Sequence, residues 1–177
     1  NLLRGTGVGP AIIARDERGR RREVSWDQLR AEVARVADGL RTAGVVAGDR
    51  VAGFLPNLPE AIVAMLATTS LGATWSSCSP DFGIRGVLDR FGQIAPKVLF
   101  TADGYCYGGK TLDSIGRIAG ILESLPSVTC VVVVANVSPR PDLARLPAAR
   151  HYEEFGEPGA TLRFERLPFD HPLYILY

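Results

Sequence analysis

Apolar positions in this chain follow two rhythms: a helical spacing in some windows and short, dense apolar runs in others. Leu29, Val33, Val36, Ala37 and Leu40 recur at the three- and four-residue spacing of one helix face. Arg30, Glu32, Arg35, Asp38 and Arg41 form the opposite, polar face. Ser25, with Gln28 three positions on, makes a capping box at the start of this helix, and Gly44 supplies its stop. Ahead of it, Ala11 to Arg15 and Arg21 to Val24 read as the arms of a hairpin turning at Arg18-Gly19. From Arg50 the rhythm becomes strand, short loop, helix, repeated. Val51 to Leu55, Ala73 to Cys78, Lys97 to Thr101 and Cys130 to Ala135 have the density of strands buried on both faces. Between them lie a helix from Ala61 to Leu71 and one with Ile84, Val87, Leu88, Phe91 and Ile94 on one side. After a loop from Ala102 to Lys110, a third helix is expected from about Asp113 to Leu125.

This alternation predicts an α/β fold, a mainly parallel doubly wound sheet with helices on both faces, preceded by a β-hairpin. Residues 1–49 hold the hairpin and a covering helix, and residues 50–135 the repeated β-α units. Prolines 139, 141, 147, 158 and 168 make residues 136–171 an irregular excursion. The run Pro172-Leu173-Tyr174-Ile175-Leu176-Tyr177 then reads as a last strand, expected to be central in an intact domain and to leave an apolar edge here. Ligands of open α/β sheets bind just beyond the carboxyl ends of the strands. The chain thus stops where a ligand loop is expected, and it begins at Asn1 rather than at a methionine. Both features suggest a piece of a larger enzyme.

Composition narrows the partners. A length of 177 residues, 46% hydrophobic and 22% charged, suits a globular domain or most of one. A net charge of +1 gives no reason to expect nucleic acid or an anionic membrane. Arg18, Arg20, Arg21 and Arg22 are flanked by Asp16, Glu17 and Glu23, as in a solvated hairpin tip. Cys78, Cys106 and Cys130 have neither metal-ligand spacing nor an even count, which suits free thiols in a reducing, cytoplasmic setting. His151 and His171 stand apart from any nucleophile pattern.

The short phosphate-binding and hydrolase motifs, G-x-G-x-x-G, G-x-x-x-x-G-K-[ST], H-E-x-x-H and G-x-S-x-G, do not occur. Two loops at strand ends remain as candidates. Tyr105-Cys106-Tyr107-Gly108-Gly109-Lys110 offers free amides, two aromatics and a cation, suiting a phosphate or adenine, or else it is a plain glycine turn. Ser76-Ser77-Cys78-Ser79-Pro80-Asp81 offers hydroxyls and a carboxylate, for a ligand or for capping the next helix.

Several stretches resemble the adenylate-forming acyl-CoA synthetase superfamily: Val51-Ala52-Gly53-Phe54-Leu55-Pro56-Asn57, Pro59-Glu60-Ala61, Ala64-Met65-Leu66-Ala67 and Leu71-Gly72-Ala73. Within it, Trp75-Ser76-Ser77-Cys78-Ser79-Pro80-Asp81-Phe82-Gly83, Gly86 to Phe91, Tyr107-Gly108-Gly109-Lys110 and Pro168 to Tyr177 resemble acetoacetyl-CoA synthetases. The resemblance spans nearly the whole chain and implies part of the large N-terminal domain of such an enzyme. The intact protein would join acetoacetate to the AMP of ATP, with Mg²⁺, releasing pyrophosphate, and pass the acyl group to CoA. A ligase for another short- or medium-chain acid, or a non-catalytic CoA-binding module, is the alternative.

In the superfamily the ATP phosphate loop follows the strand that here ends at Tyr177, and the Mg²⁺ and acyl sites come later still. The resemblance therefore implies no catalytic residue and no metal site in these 177 residues, and no activity of the chain by itself. What it carries over concerns CoA. A Gly-Gly-Phe turn along the pantetheine arm of related acetyl-CoA synthetases matches Pro80, Asp81 and Phe82, of which only the phenylalanine is retained. Two arginines near the nucleotide 3′-phosphate match Tyr107 and Lys110. Asp81, Phe82, Tyr107 and Lys110 are thus the implied CoA-binding residues. Nucleic acid and membranes are not expected as partners, whereas self-association of the chain is.

Overall fold

A turn beginning at Asp16 joins the first two strands. The computed structural model describes residues 3–5 and 7–177. Strands β1 (Ile12–Arg15) and β2 (Arg21–Val24) pair antiparallel, Ile12 opposite Val24. Asp16 closes the turn by accepting the amide N–H groups of Arg18 and Arg20. Helix α1 (Trp26–Thr42) follows with the expected capping box: Ser25 Oγ accepts the Gln28 N–H at 3.2 Å, and Gln28 Oε1 accepts the Ser25 N–H at 2.9 Å. Such a cap stabilises a helix by about 1 kcal/mol.

The repeated units come next: β3 (Arg50–Phe54), α2 (Pro59–Ser70), β4 (Thr74–Cys78), α3 (Ile84–Ile94) and β5 (Val98–Ala102). The expected loop after β5 is instead a second hairpin, β6 (Gly104–Tyr107) and β7 (Lys110–Asp113). Gly108 and Gly109 adopt φ of 57° and 74°. Two successive positive φ values form the tight turn whose twist matches that of the flanking strands. Because β7 runs to Asp113, helix α4 (Ile115–Leu122) is shorter than the periodicity suggests. Strand β8 (Cys130–Val134) follows, then β9 (Ala149–His151) and a single 3₁₀ turn, Tyr152–Glu154.

All five strands β4-β3-β5-β8-β9, in that order, run parallel. Period-two alternation then builds two cores. Val51, Val98, Phe100 and Val132 face α1 and α2, while Phe54, Leu99, Val131 and Val133 face α3 and α4. Helices on both faces of a mostly parallel sheet are the arrangement that the alternation implied.

One part of the expectation fails. Residues 136–171 are not wholly irregular, because β9 adds a fifth strand and Tyr152 and Phe155 are buried in the α1–α2 core. Gly39 of α1 makes room for this: a Cβ there would lie 2.6 Å from Phe155 Cδ1. In this chain the final run lies at the edge of the sheet. It makes one parallel bridge, Tyr174 beside Trp75, at the free edge of β4. Trp75 N–H donates to Leu173 O (3.1 Å) and Ile175 N–H to Trp75 O (2.9 Å). With no strand among the described residues on its far side, Leu173 stays 47% and Leu176 83% exposed.

No helix among the described residues is long and apolar enough to cross a membrane. Open strand edges and contiguous apolar surface promote association. The chain is therefore expected to scatter light as more than a monomer at micromolar concentration, and Leu173→Lys with Leu176→Lys to reduce that mass. A monomeric mass for the unsubstituted chain contradicts this expectation.

Candidate functional site

Strand order reverses around β3: the chain steps to β4 on one side, then crosses back to β5 on the other. Loops leaving the carboxyl ends of such strands part there and leave a crevice, the usual ligand position in an open α/β sheet. A cleft of about 360 Å³ occupies it. Leu55-Pro56-Asn57 after β3, Ser77 to Asp81 around the end of β4, and Tyr105 to Tyr107 on β6 form its walls. A larger depression of about 460 Å³ lies among the starts of β8 and β9 and the end of α1, at the opposite ends of the strands.

One buried carboxylate holds the β6 wall in place. Asp103, 2% exposed, sits between β5 and β6. Its Oδ1 accepts the N–H groups of Asn136 (2.8 Å) and Val137 (3.0 Å), and its Oδ2 that of Ser138 (2.7 Å). Asn136 Nδ2 then donates to Gly104 O at 2.9 Å. The start of the second hairpin is thus tied to the segment leaving β8. On the other wall, Arg117 of α4 donates to Pro80 O at 2.6 Å, fixing the turn after β4.

Of the four expected ligand residues, the fold brings two into the cleft. Asp81 and Tyr107 line it from opposite walls. Asp81 Oδ2 accepts the Ser79 hydroxyl at 3.0 Å, while Gly83, not Ser79 or Asp81, stands at the N-cap of α3. Phe82 lies outside the lining, its ring under the guanidinium of Arg90, 4.3 Å from the centroid. Arg90 also lies 5.7 Å from the ring centroid of Tyr177, whose hydroxyl donates to Arg90 O at 2.7 Å. Lys110 is exposed at the hairpin tip, opposite Tyr107 in the β6–β7 register, which sets both side chains on one face. It forms no ion pair among the described residues.

The glycine turn itself holds an anion. Gly108 N–H donates to Glu17 Oε2 at 3.1 Å and Gly109 N–H to Glu17 Oε1 at 3.3 Å. Successive turn amides converging on one carboxylate form a small anion-binding nest. In the sequence Glu17 reads as part of a solvated tip, and Asp103, Asn136 and Arg90 carry no binding or catalytic motif that marks them. Nothing local marks Glu17, because its partner lies 91 positions away.

Cys78 and Cys106 both line the cleft. Burial pushes the Cys78 thiol up, against a smaller opposing pull from Arg90, and burial likewise raises Cys130. These two thiols are therefore neutral at physiological pH and suited to packing. Among the described residues no three His, Cys, Asp or Glu side chains converge as a metal site would require.

A parallel sheet covered by helices on both faces, with a cleft at its switch point, defines an open α/β protein, a class whose ligands bind at that crevice. The chain belongs to the AMP-binding enzyme family, whose profile matches residues 4–177. It is 50% identical over 182 residues to the acetoacetyl-coenzyme A synthetase of Rhizobium meliloti (strain 1021), covering 100% of this chain and 27% of that protein. The acetoacetyl-CoA synthetase of Gallus gallus is 44% identical over 88% of this chain and 24% of its own length. The solved acetoacetyl-CoA synthetase from Streptomyces lividans superposes with a TM-score of 0.91 at 43% identity, over 99% of this chain and 27% of that one. The chain thus spans about a quarter of the length of the relatives it matches.

Thiol reactivity follows from the same geometry. Thiolate is the nucleophile, and burial suppresses it at Cys78 and Cys130. At pH 8, iodoacetamide should label Cys106, which is half-buried, at least about tenfold faster than either of these. Peptide mapping by mass spectrometry measures the order, and faster labelling of Cys78 contradicts it.

Proposed function

We propose that this chain is part of an AMP-forming acid–thiol ligase that makes acetoacetyl-CoA, and that the cleft beyond β3, β4 and β5 receives CoA. The observation that carries the substrate class is 50% identity over the whole chain to an acetoacetyl-coenzyme A synthetase. A second reading is a ligase for a related short acid, because the malonamoyl-CoA synthetase of Penicillium aethiopicum is 41% identical over 94% of this chain.

The chemistry has two halves. A carboxylate oxygen of acetoacetate attacks the α-phosphorus of ATP and pyrophosphate leaves. The CoA thiol, losing its proton, then attacks the acyl carbon and AMP leaves. Charge builds on phosphoryl oxygens in the first half and on the carbonyl oxygen in the second. ATP and Mg²⁺ supply leaving-group activation, and these 177 residues are assigned no part in that step. Their role is to hold CoA. Tyr107 offers a face on which adenine stacks, and Lys110 a point charge for the nucleotide 3′-phosphate. Asp81 in the opposite wall offers a carboxylate acceptor to the amide N–H groups of the pantetheine arm. Phe82, gripped by Arg90, anchors the turn that carries Asp81.

The test uses the complete ligase. Lys110→Ala should raise KM for CoA by roughly 3- to 30-fold, the range of an exposed, partly screened phosphate contact. Acetoacetate-dependent ATP–pyrophosphate exchange should stay unchanged, because adenylation precedes thiol attack. Dephospho-CoA, lacking the 3′-phosphate, should not distinguish variant from parent. A KM for CoA within twofold of the parent reduces Lys110 to a surface lysine.

A further inference from the structure

We propose that Glu17 is a built-in competitor of the CoA phosphate, occupying with its carboxylate the amide nest that the phosphate takes when CoA binds. The proposal rests on the CoA reading of this cleft and adds a device that reading does not require.

Three observations point to it. The Gly108 and Gly109 amides each donate to a different oxygen of one carboxylate, at 3.1 and 3.3 Å, the pattern two phosphate oxygens would accept. Next, Lys110 adjoins that nest, yet it pairs with neither Glu17 nor any other carboxylate among the described residues. An occupied nest beside a free cation is one negative charge short of what the pair can hold. A dianionic phosphate satisfies both groups, whereas a monoanionic carboxylate satisfies the nest alone.

Finally, Glu17 is held loosely enough to leave. Its turn is organised internally by Asp16, which accepts from the backbone N–H groups of Arg18 and Arg20 through contacts that do not involve Glu17. The tip's other links to this region are long, with Arg18 Nη2 and Arg20 Nη2 each 3.4 Å from an oxygen of Asn136. The second hairpin does not need Glu17 for its position, because Asn136 Nδ2 and the Asp103 carboxylate already anchor the segment around Gly104. Release therefore exposes the two amides without unfolding either hairpin.

Competition and simple pinning predict opposite signs. In the complete ligase, Glu17→Gln and Glu17→Ala should each lower KM for CoA about 3- to 10-fold, the worth of one displaced net contact, and leave KM for dephospho-CoA unchanged. Calorimetry provides a readout independent of turnover: adenosine 3′,5′-bisphosphate should bind the variants about 3- to 10-fold more tightly, and adenosine 5′-phosphate equally to parent and variants. Glu17→Gln keeps the side-chain size, so loss of folding in Glu17→Ala alone does not obscure the result. If Lys110→Ala weakens CoA but both Glu17 variants leave it unchanged or weaken it, Glu17 is a pin and the proposal is overturned while the CoA reading stands. If neither position separates CoA from dephospho-CoA, the CoA reading fails and the proposal fails with it.

Discussion

The buried carboxylate of Asp103 is the interaction on which the candidate site depends. A carboxylate in a nearly dry position is costly unless its oxygens are fully engaged. Here three consecutive backbone N–H groups, Asn136 to Ser138, supply that engagement at 2.7 to 3.0 Å. The same residue joins the sheet by its own backbone, its N–H donating to Val134 O and its carbonyl accepting from Ser114. Five hydrogen bonds around one side chain and its peptide units therefore lock β5, the exit of β8 and the entry to α4 into one geometry. The β6–β7 hairpin projects from that lock, and the position of Tyr107, of the glycine amides and of Lys110 follows from it.

A second buried charge performs a comparable task on the other face. Arg35 of α1 donates from Nη1 to the carbonyls of Tyr152 (2.8 Å) and Phe155 (2.7 Å), and from Nη2 to Glu32 (2.7 Å). Burial works against its charge, but the contacts with Glu32 outweigh that cost and raise its affinity for the proton. Glu32 also accepts the Tyr152 hydroxyl at 3.2 Å, and burial with this neighbour pushes the Tyr152 phenol far up, keeping it a donor. Removing one partner from such a set leaves an uncompensated buried charge, so the set specifies its arrangement more than it adds to stability. Its structural effect is to bind the segment after β9 to α1, placing Phe155 edge-on to Phe100 at 5.8 Å between centroids.

Arg90 connects the cleft's far wall to the end of the chain. Its guanidinium lies over Phe82 and near Tyr177, and its carbonyl takes the Tyr177 hydroxyl. The turn after β4 and the run beside β4 thus both rest on α3. A shared arginine ties the one segment to the other. This role belongs to α3 as a scaffold, for Arg90 does not line the cleft.

Local physics makes most of the elements legible. The capping box at Ser25, the helical spacing of Leu29 to Leu40, the strand runs and the glycine stop at Gly44 each depend on residues within a few positions, so their energies are written in adjacent letters. The resemblance of the run from Trp75 to Gly83 was equally local, and the family followed from it. The long-range partners were not legible. Glu17 meets Gly108 across 91 positions and Arg35 meets Tyr152 across 117. The short strand β9 exists because β8 offers it an edge, and Phe155 is buried because Gly39 leaves it room. Side-chain type and spacing decide which segments form and which faces are apolar. Which polar groups then satisfy one another inside the fold is decided only when the sheet brings distant loops together, because desolvation penalises every unpaired group and rewards whichever partner the topology delivers.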